Sequence, residues 1–254
     1  MNSIPSKRVS AADRAKAAQA VCLVIDVQDG CVKRMPDTAR EKFLAEVKQS
    51  VEELREKDIP PVWVSIGDHT KLYMAQASTQ TSTDLSGVSE ALGIKPGELV
   101  YHKRLMSALA DKADVIQRPS DFAGEQSGND LRTLEASFHG KALSEHLKDT
   151  QQTIIMGMMT TYCVTKTAID AAKKGFNPVV ITDRLVHGDD LNRTQPAKWH
   201  KEQIKQTIKQ LGHSPEDLGI RFCTFAEFKA GLTNTPRLQN SPSQIPLTRP
   251  KARL

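Results

Sequence analysis

Three observations predict an α/β fold, three layers deep (α/β/α) around a mostly parallel central sheet. The apolar runs are continuous rather than alternating, as in strands buried on both faces. Runs of this kind take turns along the chain with segments of helical periodicity. The first strand, helix and strand also follow one another in the order of a right-handed crossover unit, the Rossmann-type arrangement.

Ala20 to Val27 (AVCLVIDV) is an apolar run broken by a single acid, Asp26, at its carboxyl end. Pro36 to Lys57 has Phe43, Leu44, Val47, Val51 and Leu54 at helical spacing, and Asp37 stands at its start. Pro61 to Ile66 (PVWVSI) is the next buried strand. Residues 68–93 lose the pattern and read as loop. Glu98 to Tyr101 forms a short strand after Lys95-Pro96-Gly97, with Lys103 just beyond it and a brief helix expected over 104–110. Residues 111–133 are polar and turn-rich, long enough for an insertion or lid. Ala142 to Leu147 is helical, Thr153 to Met156 is a strand, and a helix with Val164, Ala168, Ala171 and Ala172 on one face runs to a stop at Gly175. Thr160 or Thr161 is the expected N-cap of that helix. Pro178 to Thr182, a helix over 196–211, and a last strand and helix in GIRFCTFAEFKAGL complete the domain.

The chain divides into a basic N-terminal segment (1–19), a single domain (20–231) and a proline-rich basic tail (232–254) expected to be disordered. The net charge of +5 resides in the ends: residues 1–20 carry +3 and residues 232–254 carry +4, leaving the body at −2. A mildly acidic body excludes a groove-reading nucleic-acid domain as the first expectation. With no long apolar run and no signal-like start, neither membrane association nor secretion is expected, and the cytoplasm is the default. The four cysteines (Cys22, Cys31, Cys163, Cys223) show no CxxC spacing, which favours reduced thiols. Cys22 and Cys223 read as packing residues, and Cys31 as loop packing or a second pocket thiol.

Cys163 differs because it falls in the first turn of a helix that follows a strand. Unsatisfied N–H groups at a helix start favour an anion and lower a thiol's pKa. In open α/β sheets, ligands bind at the carboxyl ends of strands. Asp26, Lys103 and Cys163 all lie at or just past such ends, so an acid, an ammonium and a thiol are placed to meet. Gln28, Trp63, His69 and Tyr162, on or beside the same elements, are the candidate pocket residues.

In chain order, VIDVQDG, ELVYHK, SFHGKALSEHL, GMMTTYCVTKTAIDAAKKGF, VVITDRL and GIRFCTFAEF resemble the isochorismatase-like cysteine hydrolases. The resemblance covers roughly residues 20–231. Its strongest block is G-x-x-T-x-x-C-V-x-x-T-A-x-D-A-x-x-x-G, met by Gly157, Thr160, Cys163, Val164, Thr167, Ala168, Asp170, Ala171 and Gly175. It implies an Asp26-Lys103-Cys163 triad and an oxyanion hole made by the backbone N–H groups of Met159 and Cys163. It also implies a cis peptide at Met158-Met159 and a dimer or tetramer. The implied reaction is C–N cleavage in a small amide, ureide or carbamoyl compound through a thioester, with no cofactor.

The chain departs from the family at three places. Gly67-Asp68-His69 puts glycine where the nicotinamidase branch has a metal-binding Asp, so no metal is expected. Asp29-Gly30-Cys31 stands where an aromatic commonly lines the pocket. The segment after Lys103 is long, which leaves Lys112 and Lys141 as alternative lysines. Arg104, Arg118 and Arg184 are candidates to receive a substrate carboxylate. Two other readings remain: an isochorismatase acting on an enol ether without need of Cys163, and a non-catalytic interaction protein.

Overall fold

The apolar runs of the sequence form the middle of a seven-stranded sheet in the computed structural model, which describes residues 20–66, 71–74, 90–95, 98–103, 106–110, 143–187 and 195–234. The elements are β1 (Ala20–Ile25), a one-turn helix α1 (Asp29–Val32), α2 (Asp37–Arg55), β2 (Pro61–Ile66), β3 (Lys71–Met74) and β4 (Leu99–Lys103), with a short 3-10 turn at Glu90–Leu92. Then follow α3 (Leu143–His146), β5 (Gln152–Met158), a π-type turn (Thr160–Val164), α4 (Thr165–Lys173), β6 (Val179–Val186), α5 (Ala197–Gln210), β7 (Arg221–Cys223) and α6 (Phe225–Asn234).

The sheet order is β3-β4-β2-β1-β5-β6-β7. Every pairing is parallel except that of β3 with β4, so the parallel core carries one antiparallel edge strand. β1 lies at the centre between β2 and β5. Its alternate residues serve two separate cores. Val21, Leu23 and Ile25 pack with residues of α3, α4 and α5, while Cys22 and Val24 pack with α2 and α6. Double-sided burial explains why β1 and β2 are almost continuously apolar. Each fully buried Val, Leu or Ile contributes about 1.5–3 kcal/mol of transfer free energy.

Several sequence expectations change. The segment 68–93 contains β3, whose four residues are made a strand by pairing with β4 rather than by any local pattern. No helix forms over the described residues 106–110, which are bend and turn. The last helix continues to Asn234, past the domain boundary expected at 231. Residues 1–19, the insertion at 111–133 and the tail from 235 lie outside the described residues.

Three local devices fix the ends of the site-bearing elements. Gly175, at φ 79°, closes α4 where the sequence places the stop, and Phe176 N–H donates to the Ala171 carbonyl at 2.9 Å. At the base of β4, Glu98 accepts from Arg55, from the Trp63 indole N–H at 2.7 Å and from Lys95 N–H, tying the strand to α2 and β2. Past its end, Ala108 N–H donates to Thr167 Oγ1 at 3.0 Å, which fastens the segment after Lys103 to α4.

Candidate active site

Gly157 sits in β5 opposite Ile25, the residue before Asp26. Its φ is 126°, and a Cβ built there would lie 2.1 Å from the Ile25 carbonyl oxygen. Only glycine allows the two central strands to come this close as they reach the site. Just beyond, β1 leads to Asp26 at φ 52° and β5 leads to Met159 at φ 64°, ψ 61°. Both are L residues in the left-handed region, which costs about 1–2 kcal/mol each. The strain is concentrated where the two strands release their last residues. Asp26 is held there by its N–H, which donates to the Val64 carbonyl at 2.7 Å, and by Gln28 N–H, which donates to the Asp26 carbonyl at 2.8 Å.

Three distant residues meet at these ends. Lys103, the last residue of β4, donates from Nζ to Asp26 Oδ2 at 2.9 Å and to Cys163 Sγ at 3.2 Å. Asp26 and Lys103 are each 1% exposed and Cys163 is 3% exposed. β4 runs two residues past the strand expected from the sequence, and that extension brings the lysine into the sheet. Lys112 and Lys141, the alternatives, lie outside the described residues.

The electrostatics differ from the helix-start expectation. Burial, and after it the Asp26 carboxylate, push the Cys163 thiol up to about 12, against the opposing pull of Lys103. The sulfur therefore rests as a thiol at neutral pH. Burial works against the Lys103 ammonium, but Asp26 and Cys163 outweigh it and raise its pKa above the ordinary lysine value. Lys103 thus rests as an ammonium and Cys163 as a thiol. Among the described residues, Asp26 Oδ1 is buried with no hydrogen-bond partner, an acceptor left open.

The turn carrying Cys163 is not the capped helix start read from the sequence. Neither Thr160 nor Thr161 caps it; Met159 takes the N-cap position without a side-chain bond, and Thr160–Val164 coils as a π-type turn. The Met159 carbonyl accepts from Tyr162 N–H at 2.9 Å and from Val164 N–H at 3.3 Å. No cis peptide occurs among the described residues, so the expected one at Met158-Met159 is replaced by the left-handed Met159. A π-type turn is a recurrent feature of functional sites.

The expected pocket residues separate. Trp63 is 0% exposed and belongs to the α2 side of the sheet, with its N–H spent on Glu98. It is a core residue, because strand alternation turns Val62 and Val64, not Trp63, toward the Cys163 side. The Gln28 amide is occupied by the Ile66 backbone, accepting its N–H at 2.8 Å and donating to its carbonyl at 3.3 Å. Gln28 thus clips the end of β2 to the turn after Asp26. Tyr162, next to the nucleophile candidate, is 43% exposed. His69 lies outside the described residues, as do Arg104 and Arg118. Arg184 is engaged by Ser50, Asp183 and the Phe225 ring on the α2 and α6 side. Cys31 is half-buried against the α2-side cluster, and burial first, then the Asp26 charge, raise its thiol pKa against the pull of Arg34 and Lys103.

Sequence reasoning missed Thr160 and His200 as a pair. Thr160 Oγ1 lies 2.9 Å from His200 Nδ1, both fully buried, with 40 residues between them. Among the described residues, no three His, Cys, Asp or Glu side chains group as a metal ion requires. No helix among them is long and apolar enough to cross a membrane.

The model of the isochorismatase domain matches residues 131–211, a span containing Cys163 and His200. No curated protein matches the chain. Among solved structures, a candidate MAR1 ribonuclease from Leishmania donovani is 13% identical, with 87% of this chain and 85% of that one covered and a TM-score of 0.50; at that identity the likeness is one of fold. An isochorismatase family protein from Burkholderia thailandensis is 18% identical over 85% of this chain and 96% of its own, with a TM-score of 0.49. The N-carbamoylsarcosine amidase of Thermoplasma acidophilum is 17% identical over 82% and 97%, with a TM-score of 0.46.

Proposed function

We propose that this chain, isochorismatase-like by its family match, is a metal-independent cysteine hydrolase that cleaves a C–N bond in a small amide, ureide or carbamoyl compound. The observation that carries the reading is the buried Lys103 ammonium, which donates at once to the Asp26 carboxylate and the Cys163 sulfur. A structural ion pair needs no thiol, and a packing cysteine needs no cation.

The chemistry follows from the charges. Sγ of Cys163 attacks the substrate carbonyl carbon as its proton passes to Asp26, and Lys103 keeps the sulfur anionic in the transition state. The carbonyl oxygen becomes an oxyanion held by the N–H groups of Met159 and Cys163, donors of a kind worth about 3–4 kcal/mol each. Collapse breaks the C–N bond, with the Asp26 proton delivered to the leaving nitrogen. The departing ammonia or amine leaves a thioester on Cys163. Water then attacks the thioester, giving its proton to Asp26, and the thiol returns with the acid product released.

A thiol at rest suits this sequence of steps. Its proton is the one the leaving group requires, and the carboxylate that raises the thiol pKa is the base that removes it. An enol-ether substrate offers no carbonyl for sulfur to attack, which is why the thiol favours C–N cleavage.

The experiment is release of ammonia or amine from a panel of small amides, ureides and carbamoyl compounds by the wild type and Cys163→Ala. The reading expects turnover on one class and a loss of about a thousandfold or more in the variant. Full activity of Cys163→Ala, above all on isochorismate, would reverse the assignment in favour of enol-ether hydrolysis.

A further inference from the structure

The Cys163 turn is strained at Met159 and built without a side-chain cap, so something else must hold its shape. Two bonds converge on Thr160, the residue between Met159 and the rest of the turn. Thr165 Oγ1 donates to the Thr160 carbonyl at 2.6 Å, from the start of α4. His200 Nδ1, from α5, meets the Thr160 hydroxyl at 2.9 Å. The first bond is local. The second joins the turn to a separate helix across 40 residues, and both side chains are sealed from solvent.

We propose that His200 is a positioning residue for the nucleophile, fixing the Thr160 hydroxyl so that the Met159–Cys163 turn presents Sγ to Lys103 and Asp26. The inference rests on the hydrolase reading for its kinetic consequence, but not for its geometry. The surroundings of the ring keep it neutral: burial first, then the neighbouring His187, lower its pKa to about 4, against the raising effect of a hydrogen bond to the Gln195 backbone. Trp199 packs edge-on against it at 5.2 Å. A neutral ring can serve a hydroxyl at any pH well above about 4, whereas a buried cation there would place a second positive charge behind the turn. Displacing a reacting atom by about 1 Å costs on the order of a hundredfold in rate, so a bond of this kind has leverage on sulfur placement.

The test compares His200→Leu, which deletes the ring nitrogens, with His200→Asn, whose amide returns a polar atom to the Nδ1 position. Thr160→Val removes the same bond from its other end and serves if His200→Leu fails to fold. The substrate-free readout is the rate at which iodoacetamide alkylates Cys163 at pH 7, followed by peptide mass spectrometry against Cys31 and Cys223. His200→Leu and Thr160→Val should each slow Cys163 by about tenfold or more, their combination should add little, and His200→Asn should regain most of the rate. With an amide substrate, the same pair of variants should lower kcat and leave KM near its original value, because the bond acts on the nucleophile rather than on the substrate. Unchanged alkylation of Cys163 in His200→Leu and in Thr160→Val overturns the inference, whatever the turnover. Slowed alkylation in a chain that hydrolyses no C–N bond upholds the inference and removes the hydrolase reading.

Discussion

Replacing Lys103 by Met removes the ammonium and keeps most of the side-chain volume, so the cost isolates the charge. Asp26 and Lys103 are each 1% exposed and 2.9 Å apart, and the second carboxylate oxygen of Asp26 has no partner among the described residues. The variant therefore leaves a buried carboxylate without its ammonium partner. Removing one member of a buried pair costs about 3–5 kcal/mol, most of it the penalty on the charge left behind. With a denaturant slope near 2 kcal/mol/M, the urea midpoint at pH 7 should fall by about 1.5–2.5 M. The transition can be followed by the fluorescence of the buried Trp63. Adding Asp26→Asn to Lys103→Met neutralises the stranded charge and should recover at least half of the loss, although neither variant should turn over substrate. The reasoning fails if Lys103→Met costs less than about 1 kcal/mol, or if the second substitution deepens the loss.

Two further outcomes follow from the same geometry. Gly157→Ala must resolve a Cβ placed 2.1 Å from the Ile25 carbonyl oxygen at a φ of 126°, so β1 and β5 must part beside Asp26. A drop of about 3 kcal/mol or more in unfolding free energy is expected, and a change under 1 kcal/mol would show that the strands have slack. For pH, His200 has its pKa lowered from 6.5 to about 4, so the folded state favours the neutral ring. That contribution is complete above pH 6.5 and is lost as pH falls through about 4, at roughly 3 kcal/mol in total. His200→Asn should flatten the stability curve between those values; an unaltered slope would contradict the burial of an uncharged ring.

How much of this was legible in the sequence differs by element. Pro61–Ile66 is readable to the residue because Pro60 and Gly67 bracket a run rich in β-branched and aromatic residues. β3 is not, because four residues amid polar sequence become a strand only through the neighbour they pair with. Asp26, Lys103 and Cys163 are legible as residue types at strand ends, yet their meeting depends on β4 running on to Lys103 and on β1 standing between β2 and β5. Trp63 misleads because the sequence of a doubly buried strand gives no sign of which side faces the site. Gln28 misleads because its amide matches a backbone partner 38 residues away. The helix-start argument for a low thiol pKa considered the N–H groups but not the loss of water around the sulfur, which dominates. The Thr160–His200 bond had no local signal, since Thr160 reads as a helix cap and His200 as an ordinary member of its helix.

The central claim is that sulfur bonds covalently to the substrate carbon while Lys103 and Asp26 flank it. It is tested most directly by intact-protein mass spectrometry after rapid acid quench during turnover of an amide or carbamoyl substrate. The account predicts a mass increase equal to the substrate's acyl group, mapped to Cys163 and discharged by hydroxylamine. Turnover with no adduct at any quench time, unaffected by Cys163→Ala, or an adduct on Cys31 in place of Cys163, would contradict it.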